Sequence, residues 1–365
     1  MPADDGIAAG SDWKDHGVGM RKLFIVLILL VFCLQPVWAM DFTAPTVPDV
    51  GEDLMPVETE SFSQGFTKVL SKTITYINPA LKEASGVCLG LIGIVLLHSI
   101  LEALPAKTKP VIDLVSTLSI AGILLSRAGS MIQLGITTIR ELSDYGKLLM
   151  PVLAGALAAQ GGVTGATALY AGTTIFNTVL GTAITNLLIP IVYCFLILCV
   201  ASSATDSDRL GKFRDFIKNF VSWCMKVIIY IFTGYITLTG VVSGSADATA
   251  LKVTKLTMSG MIPVVGGMLS DASEAVLVSA GVMKNAVGTY GLLAILSVWL
   301  TPFIQIGAQY LLLKLTAALC ATFGSKQPSS LVNQFSAAMG LLLGMTATMC
   351  LLLLISTVCF MRGVG

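Results

Sequence analysis

Long apolar runs alternate with short polar segments along most of the chain. The runs lie at about residues 85–104, 111–126, 148–180, 186–204, 221–243, 288–320 and 336–361. Several of them exceed the roughly 18 consecutive apolar residues that a helix needs to cross a bilayer. The pattern therefore predicts an all-α, polytopic helical membrane protein whose multispan domain covers residues 85–361.

The composition indicates that lipid is the main solvent of the chain. Of the 365 residues, 55% are hydrophobic and 12% are charged, whereas about 25% of the residues of a soluble domain are charged. The net charge of +1 supplies no basic surface, so a nucleic-acid partner is not expected. The eight cysteines lack CxxC spacing and lie in apolar runs, which predicts packing residues rather than bridges or ligands.

Residues 20–39 have the pattern of a signal peptide. Arg21 and Lys22 precede the apolar run 23–34, and a cleavage site of small-residue type ends at Ala39. We expect cleavage after Ala39; an uncleaved anchor is the alternative. The polar residues 1–19 are interpreted as a start-site extension.

Two segments of different character follow the signal peptide. Residues 40–60 are rich in Pro, Asp, Glu and Thr, which predicts a disordered acidic linker. Residues 61–84 have apolar positions near helical spacing and predict an amphipathic helix that Asn78 and Pro79 interrupt. This helix either lies on the outer membrane surface or packs against the spans.

Clusters of basic residues predict which ends of the spans face the cytoplasm. Two cations follow the first span and four more share one polar loop: Lys107, Lys109, Arg209, Lys212, Arg214 and Lys218. The mixed-charge residues 127–147 between the two clusters are predicted to form an external helix. Residues 148–204 must then cross the membrane an odd number of times.

The small residues of the run 148–180 leave two ways to make that crossing. Its many Gly, Ala and Thr residues suit spans that pack closely among other helices. Alternatively the run is re-entrant, and residues 186–204 make the single crossing. The re-entrant arrangement is favoured because it satisfies the charge rule with the fewest elements.

A second broken segment, at residues 260–291, combines helix breakers with charges in an apolar setting. Backbone breaks and charges are both costly in lipid, so this segment supplies the candidate conduit or interface residues: Pro263, Gly266, Gly267, Asp271, Glu274, Lys284 and Asn285. One interpretation is structural, with Ser270 and Asp271 capping a helix whose first turn contains Glu274. The other is functional, with polar groups lining an aqueous path or a partner interface.

The two broken segments suggest a tandem repeat. A shift of 112 residues places residues 148–204 over 260–316, with Pro151 on Pro263 and Pro190 on Pro302. Each half then contains a broken segment, a proline-bearing span, a polar loop and a final span. The predicted units are 148–243 and 260–361, and chance alignment of apolar sequences is the alternative.

The sequence contains no recognisable catalytic motif. It lacks a phosphate-binding lysine loop, a G-x-S-x-G elbow and an H-E-x-x-H helix. Its two histidines, His16 and His98, are too few for a histidine metal site. We therefore expect no enzymatic activity, no cofactor and no metal.

Four short segments resemble one known family. They are residues 262–272 (IPVVGGMLSDA), 284–288 (KNAVG), 291–294 (GLLA) and 313–318 (LKLTAA). Together with the signal peptide, the acidic linker and the multispan body, they resemble the stage III sporulation protein AE family. The resemblance extends from about Met20 to the C-terminus and is most specific over residues 260–320.

The resemblance implies a role in an endospore-forming Firmicute. The chain would be the polytopic component of a mother cell–forespore channel or secretion-like complex, needed for late forespore development. Its partners would be the lipid bilayer, other membrane proteins of that complex and a separate ATPase. It would lie in the mother-cell membrane facing the forespore. A stand-alone secondary transporter with a site at the repeat interface, and a non-transporting membrane scaffold, are the alternatives.

Overall fold

Helices form over all the apolar runs of the chain. The computed structural model describes residues 44–55, 61–101, 109–205, 208–261, 266–323 and 326–363, but not the side chains of 49, 50, 76, 208, 239–277 and 326. The elements in chain order are α1 (Asp49–Glu52), α2 (Phe62–Leu101), α3 (Lys109–Ala159), α4 (Val163–Ala183), a π-helical turn (Ile184–Leu188), α5 (Ile189–Thr205), α6 (Asp208–Met261), α7 (Gly266–Thr322) and α8 (Lys326–Arg362). The predicted all-α class is confirmed.

Six helical stretches of the described chain are long and apolar enough to cross a membrane. They are Ile77–Leu101, Lys109–Ala159, Val163–Thr205, Arg209–Leu238, Val278–Thr322 and Gln327–Arg362. The longest helices, α3 and α7, contain 51 and 57 residues. At 1.5 Å per residue they are about 76 and 85 Å long, whereas the hydrocarbon core is about 30 Å thick. Such helices either tilt strongly or extend beyond the bilayer.

The helices pass back and forth between two ends of the bundle because short connections join them. We call one the basic end; the helix starts at this end contain Lys109, Arg209, Lys212, Arg214 and Lys218. Here Ser99 Oγ donates to the carbonyl of Phe323 at 3.1 Å, which joins the ends of α2 and α7. We call the other the turn end; it contains residues 160–162 and Gly363.

The centre of the bundle is occupied by α8. It packs against α3, α4, α5, α6 and α7, and its apolar side chains include Phe335, Leu342, Met345, Met349 and Phe360, each at most 1% exposed. Cysteines contribute to the same core, and the seven described cysteines are free thiols. The interior is thus filled by side chains along the length of α8.

Helix α2 continues through a proline that was predicted to interrupt it. Asn78 and Pro79 were expected to end the amphipathic helix, yet α2 continues from Phe62 to Leu101 with Pro79 inside it. A proline removes one backbone hydrogen bond, and neighbouring helices in a bundle can compensate for that loss. Here α2 buries Val69, Leu91 and Val95 completely, so packing on both sides of Pro79 holds the helix together.

The run 148–180 is also arranged differently from the separate re-entrant element that the sequence favours. Residues 109–159 form one helix, α3, which includes Pro151 and the mixed-charge residues 127–147. A tight turn follows, in which Gly161 has a φ of 92°, a conformation that glycine adopts without strain. The second part of the run then becomes α4. Side chains along α3 such as Ile132, Ile139 and Leu142 are fully buried, which explains its continuity.

Part of the predicted disordered linker is packed. Residues 44–55 contain α1, and a Cβ atom at Gly51 would lie 2.6 Å from Ser297 Oγ of α7. Leu54 is 3% exposed and packs with Val69 and Leu300. Lys72 Nζ donates to the carbonyls of Asp53 and Met55, at 3.0 and 3.3 Å. The polar composition of residues 40–60 gave no sign of this packing, because Leu54 and Gly51 alone suffice to make the contact.

The helix ends do not follow the register of the predicted repeat. Pro151 lies inside α3, whereas its counterpart Pro263 lies outside the described residues, between α6 and α7. The turn after α3, at residues 160–162, would correspond to residues 272–274, which lie inside α7. Each half contains a long helix followed by a proline-bearing helix, and the duplication stays a prediction.

Candidate functional site

The structure describes some of the predicted site residues with their side chains, some by their backbone alone, and one not at all. Pro263 lies outside the described residues. Gly266 and Gly267 belong to the first turn of α7 rather than to a break, because the helix begins at Gly266. Asp271 and Glu274 lie on α7, where the structure describes the backbone alone. The side chains of Lys284 and Asn285 are described: that of Lys284 is buried and that of Asn285 is exposed.

Lys284 binds the end of the central helix. Its side chain is 3% exposed, and its Nζ donates to the carbonyl oxygen of Gly363 at 2.8 Å. Gly363 follows the last residue of α8 and itself donates its N–H to the carbonyl of Cys359 at 2.9 Å. A cation at the C-terminal end of a helix satisfies a free carbonyl and the negative end of the helix dipole. The structure therefore gives the buried ammonium a defined partner.

Glycines surround Lys284 on one face of α7. Gly281, Gly288 and Gly291 lie three, four and seven residues from Lys284, which places all four on the same side of the helix. A Cβ atom at Gly281 would lie 2.6 Å from Nε2 of Gln160. One at Gly291 would lie 2.7 Å from Cδ2 of Leu149, and one at Gly288 would lie 2.6 Å from Sδ of Met361. Lys284 thus lies where α7 meets α3 and α8 in close contact. We call these four residues of α7 the Gly–Lys face.

A second, mostly buried cation lies on α3 in the part of the helix nearer the basic end and pairs differently. Arg127 of α3 forms an ion pair through Nη1 with Oε1 of Glu83 of α2, with side chains 12% and 66% exposed. Its Nε donates to Oε1 of Gln309 of α7 at 3.5 Å. Gln309 is 1% exposed, and its Nε2 has no hydrogen-bond partner among the described residues. Arg127, Glu83 and Gln309, which we call the Arg127 junction, connect three helices.

The Arg127 junction was not predicted from the sequence, which placed Arg127 at the start of an external helix. An arginine in the middle of an apolar helical pattern is a signal that could have found it, because such residues in membrane helices usually face a partner. That signal does not name the partner, since Glu83 is 44 residues away in sequence.

A third polar contact joins α2 and α3 at the basic end. His98 is 4% exposed, its Nδ1 lies 2.9 Å from Ser116 Oγ, and its Nε2 lies 3.5 Å from Oδ1 of Asp113. These three residue types also form hydrolase triads, in which the serine gives its proton to the histidine. Here Ser116 Oγ also lies 2.9 Å from the carbonyl of Ile112, to which it can donate, and the direction of its hydrogen bond with the ring depends on the tautomer of His98. The arrangement suits a brace between helices.

No group of three or more His, Cys, Asp or Glu side chains that could hold a metal is found within the described ranges. The polar contacts made by Lys284, Arg127 and His98 each connect different helices. Six apolar helical stretches held together in this way define a polytopic helical membrane protein.

Comparison with known proteins gives the family. The family model of stage III sporulation protein AE matches residues 49–363, so the chain belongs to that family. Stage III sporulation protein AE of Bacillus subtilis (strain 168) is 25% identical over 186 residues. This match covers 51% of the present chain and 47% of the relative, so the chain spans about half the length of the curated relative it matches. No solved structure matches the chain.

Proposed function

We propose that the protein is the polytopic membrane component of a sporulation-specific channel or secretion-like complex between mother cell and forespore, needed for late forespore development. Membership of the stage III sporulation protein AE family supports the sporulation role. Family membership is also the observation that carries the channel role, and the structure bears on where a path would lie, because the buried side chains of α8 fill the middle of the bundle. A path for solutes is then formed between subunits of an assembly rather than along the axis of one chain.

The outer surface of the bundle supports a multi-pass location in the membrane. Exposed large apolar side chains occur in both halves of the described bundle. Those nearer the basic end are Leu89, Leu97, Ile100, Val111, Val115, Leu118, Ile197, Phe213, Phe216, Trp223, Ile231, Leu311 and Leu315, and those nearer the turn end include Ile74, Leu148, Val163, Ile175, Val179, Val278 and Val282. By the positive-inside rule the basic end faces the cytoplasm. In our proposal that compartment is the mother cell, and the turn end faces the forespore.

The proposed partners are other membrane proteins of the same complex and a separate ATPase. The chain has no nucleotide-binding motif, so energy for transport comes from another subunit. We propose that the protein itself catalyses no reaction and requires no cofactor.

The experiment that tests this function is a gentle membrane pull-down from sporulating cells. A tagged, functional copy should co-purify with other sporulation membrane proteins and with a secretion-type ATPase. A tagged six-span membrane protein of unrelated function, expressed at the same stage, is the control. Recovery of the chain alone, together with solute uptake by the purified chain in liposomes, would instead support a stand-alone transporter. Recovery with partners but a normal forespore after deletion would contradict the developmental role.

A further inference from the structure

An open cleft lies between α3 and α4 and reaches the π-helical turn. Its volume is about 150 Å³, and its polar lining includes Arg140, Asp144, Lys147, Thr178, Thr182 and Thr185. The lining residue Ser143 is tied to α4 by Asn177, whose Nδ2 donates to the carbonyl of Ser143 at 2.9 Å. Gly181 keeps the cleft open, because a Cβ atom there would lie 3.3 Å from Ser143 Oγ. The cleft is thus bounded by packed helices and is not a gap between loose side chains.

The charges of the cleft leave one cation unpaired. Lys147 Nζ donates to Asp144 Oδ1 at 2.7 Å, and the two side chains are 51% and 69% exposed. The guanidinium of Arg140 has no hydrogen-bond or ion-pair partner in the described part of the chain. The hydroxyls of Thr178 and Thr182 are also without partners there. An unpaired guanidinium and unpaired hydroxyls that line one cleft supply the hydrogen-bond donors that a phosphate group accepts, and arginine can bind phosphate through two parallel hydrogen bonds.

The position of the cleft along the helices identifies the source of that phosphate. Along α3, Arg140 lies about 46 Å from Lys109, the first residue of the helix at the basic end. Along the α4–α5 stretch, Thr182 lies about 34 Å from Thr205. A bilayer is about 30 Å thick in its hydrocarbon core and about 40–45 Å with its headgroups. With the basic end at the inner surface and α3 and α4 close to the membrane normal, these distances correspond to the outer headgroup region, and tilt of the helices would bring the cleft closer to the hydrocarbon core.

We propose that this cleft binds the phosphate of an anionic phospholipid headgroup in the outer leaflet of the membrane. Arg140 makes the principal contact, Thr178 and Thr182 add hydrogen bonds, and the Asp144–Lys147 pair closes one side. Such a bound lipid fixes the height of α3 and α4 in the membrane. The site does not depend on the proposed channel role.

Lipid binding by the purified full-length chain in mild detergent tests the proposal. Phosphatidylglycerol and phosphatidylcholine are titrated separately, and bound lipid is counted by native mass spectrometry. We expect phosphatidylglycerol to be retained in preference to phosphatidylcholine. Because a charge-assisted hydrogen bond is lost, Arg140→Gln should weaken phosphatidylglycerol binding by about tenfold or more. Arg140→Lys keeps the charge but loses the planar fork and should have an intermediate effect.

Lys82→Gln is the matched control, since it removes one exposed cation of α2 outside the cleft. It should leave phosphatidylglycerol affinity within about twofold of the parent. Equal losses in Lys82→Gln and Arg140→Gln, or equal binding of the two lipids, would overturn the proposal. A third arm adds soluble glycerol 3-phosphate. If it displaces the lipid at similar concentrations, the phosphate chemistry stands but the lipid source is wrong.

Discussion

The Gly–Lys face and the Arg127 junction each bury a cation in an apolar bundle, but they stabilise it in different ways. Lys284 binds a backbone carbonyl at the end of α8 and is surrounded by glycines that bring three helices into close contact. Arg127 pairs with Glu83, a carboxylate that stays 66% exposed. The first arrangement relies on a helix end and tight packing, and the second on a counter-ion at the surface. A buried cation in such a bundle therefore indicates that a partner is present, but not whether that partner is a backbone carbonyl or a carboxylate.

The largest expected effect is at a glycine of the Gly–Lys face. Gly288→Leu forces a side chain against Met361, and overpacking of this kind costs about 3 kcal/mol. The free energy of unfolding should fall accordingly, measured by denaturant titration in detergent micelles. Gly90→Leu on α2 is the matched control, because a Cβ there meets no atom within 4 Å. Equal stability of the two variants would show that α7 does not approach α8 this closely.

Removal of the ammonium should have the next largest effect. Lys284→Met keeps the length of the side chain but leaves the carbonyl of Gly363 without its donor, which costs about 2 kcal/mol. The C-terminal turn of α8 should also become more sensitive to carboxypeptidase. Asn285→Leu changes the exposed neighbour and should alter stability by less than about 0.5 kcal/mol. A Lys284→Met variant as stable as Asn285→Leu would contradict the stabilising role of this bond.

The Arg127 junction should respond asymmetrically to loss of its two charges. Glu83→Gln leaves a mostly buried guanidinium without its counter-ion and should cost about 1 kcal/mol. Arg127→Met leaves a carboxylate that is largely solvated, so it should cost less. A double-mutant cycle on unfolding free energies measures the coupling between the two. Losses of equal size and full additivity would show that the pair is not coupled.

The smallest effect is expected at Gln309. Its contact with Arg127 is long, at 3.5 Å, and its Nε2 has no partner among the described residues. Gln309→Met keeps the volume and removes a buried amide, so the unfolding free energy should change by less than about 0.5 kcal/mol. A loss above 2 kcal/mol would mean that Gln309, and not Glu83, is the main partner of Arg127.

The helical regions of the fold could be predicted well because each apolar run must satisfy its own backbone hydrogen bonds in lipid. Boundaries between runs were less predictable. Pro79 and the charges of residues 127–147 suggested breaks, yet α2 and α3 continue through them. Local signals of this kind compete with packing along the whole helix, and here packing prevails. The docking of Leu54 against α2 and α7 had no local signal at all.

The candidate site was predicted in part. Lys284 was singled out by its charge in an apolar setting, and the structure places it in a buried junction. Its partner is a backbone carbonyl near the C-terminus, which carries no signature in the sequence. Arg140, Asp144 and Lys147 were seen as charges of an external helix, without the threonines of α4 that complete the cleft.

The sequence by itself determined that this protein is an all-α, multi-pass membrane protein, and which segments are helical. Those properties follow from local hydrogen bonding and from the length of apolar runs, so they can be read from neighbouring residues. Only the tertiary structure decided that Lys284 meets Gly363, that Arg127 meets Glu83, and that threonines of α4 line the same cleft as Arg140 of α3. Each of these contacts depends on which helices are neighbours and at what height. That arrangement is set by packing between residues far apart in the chain.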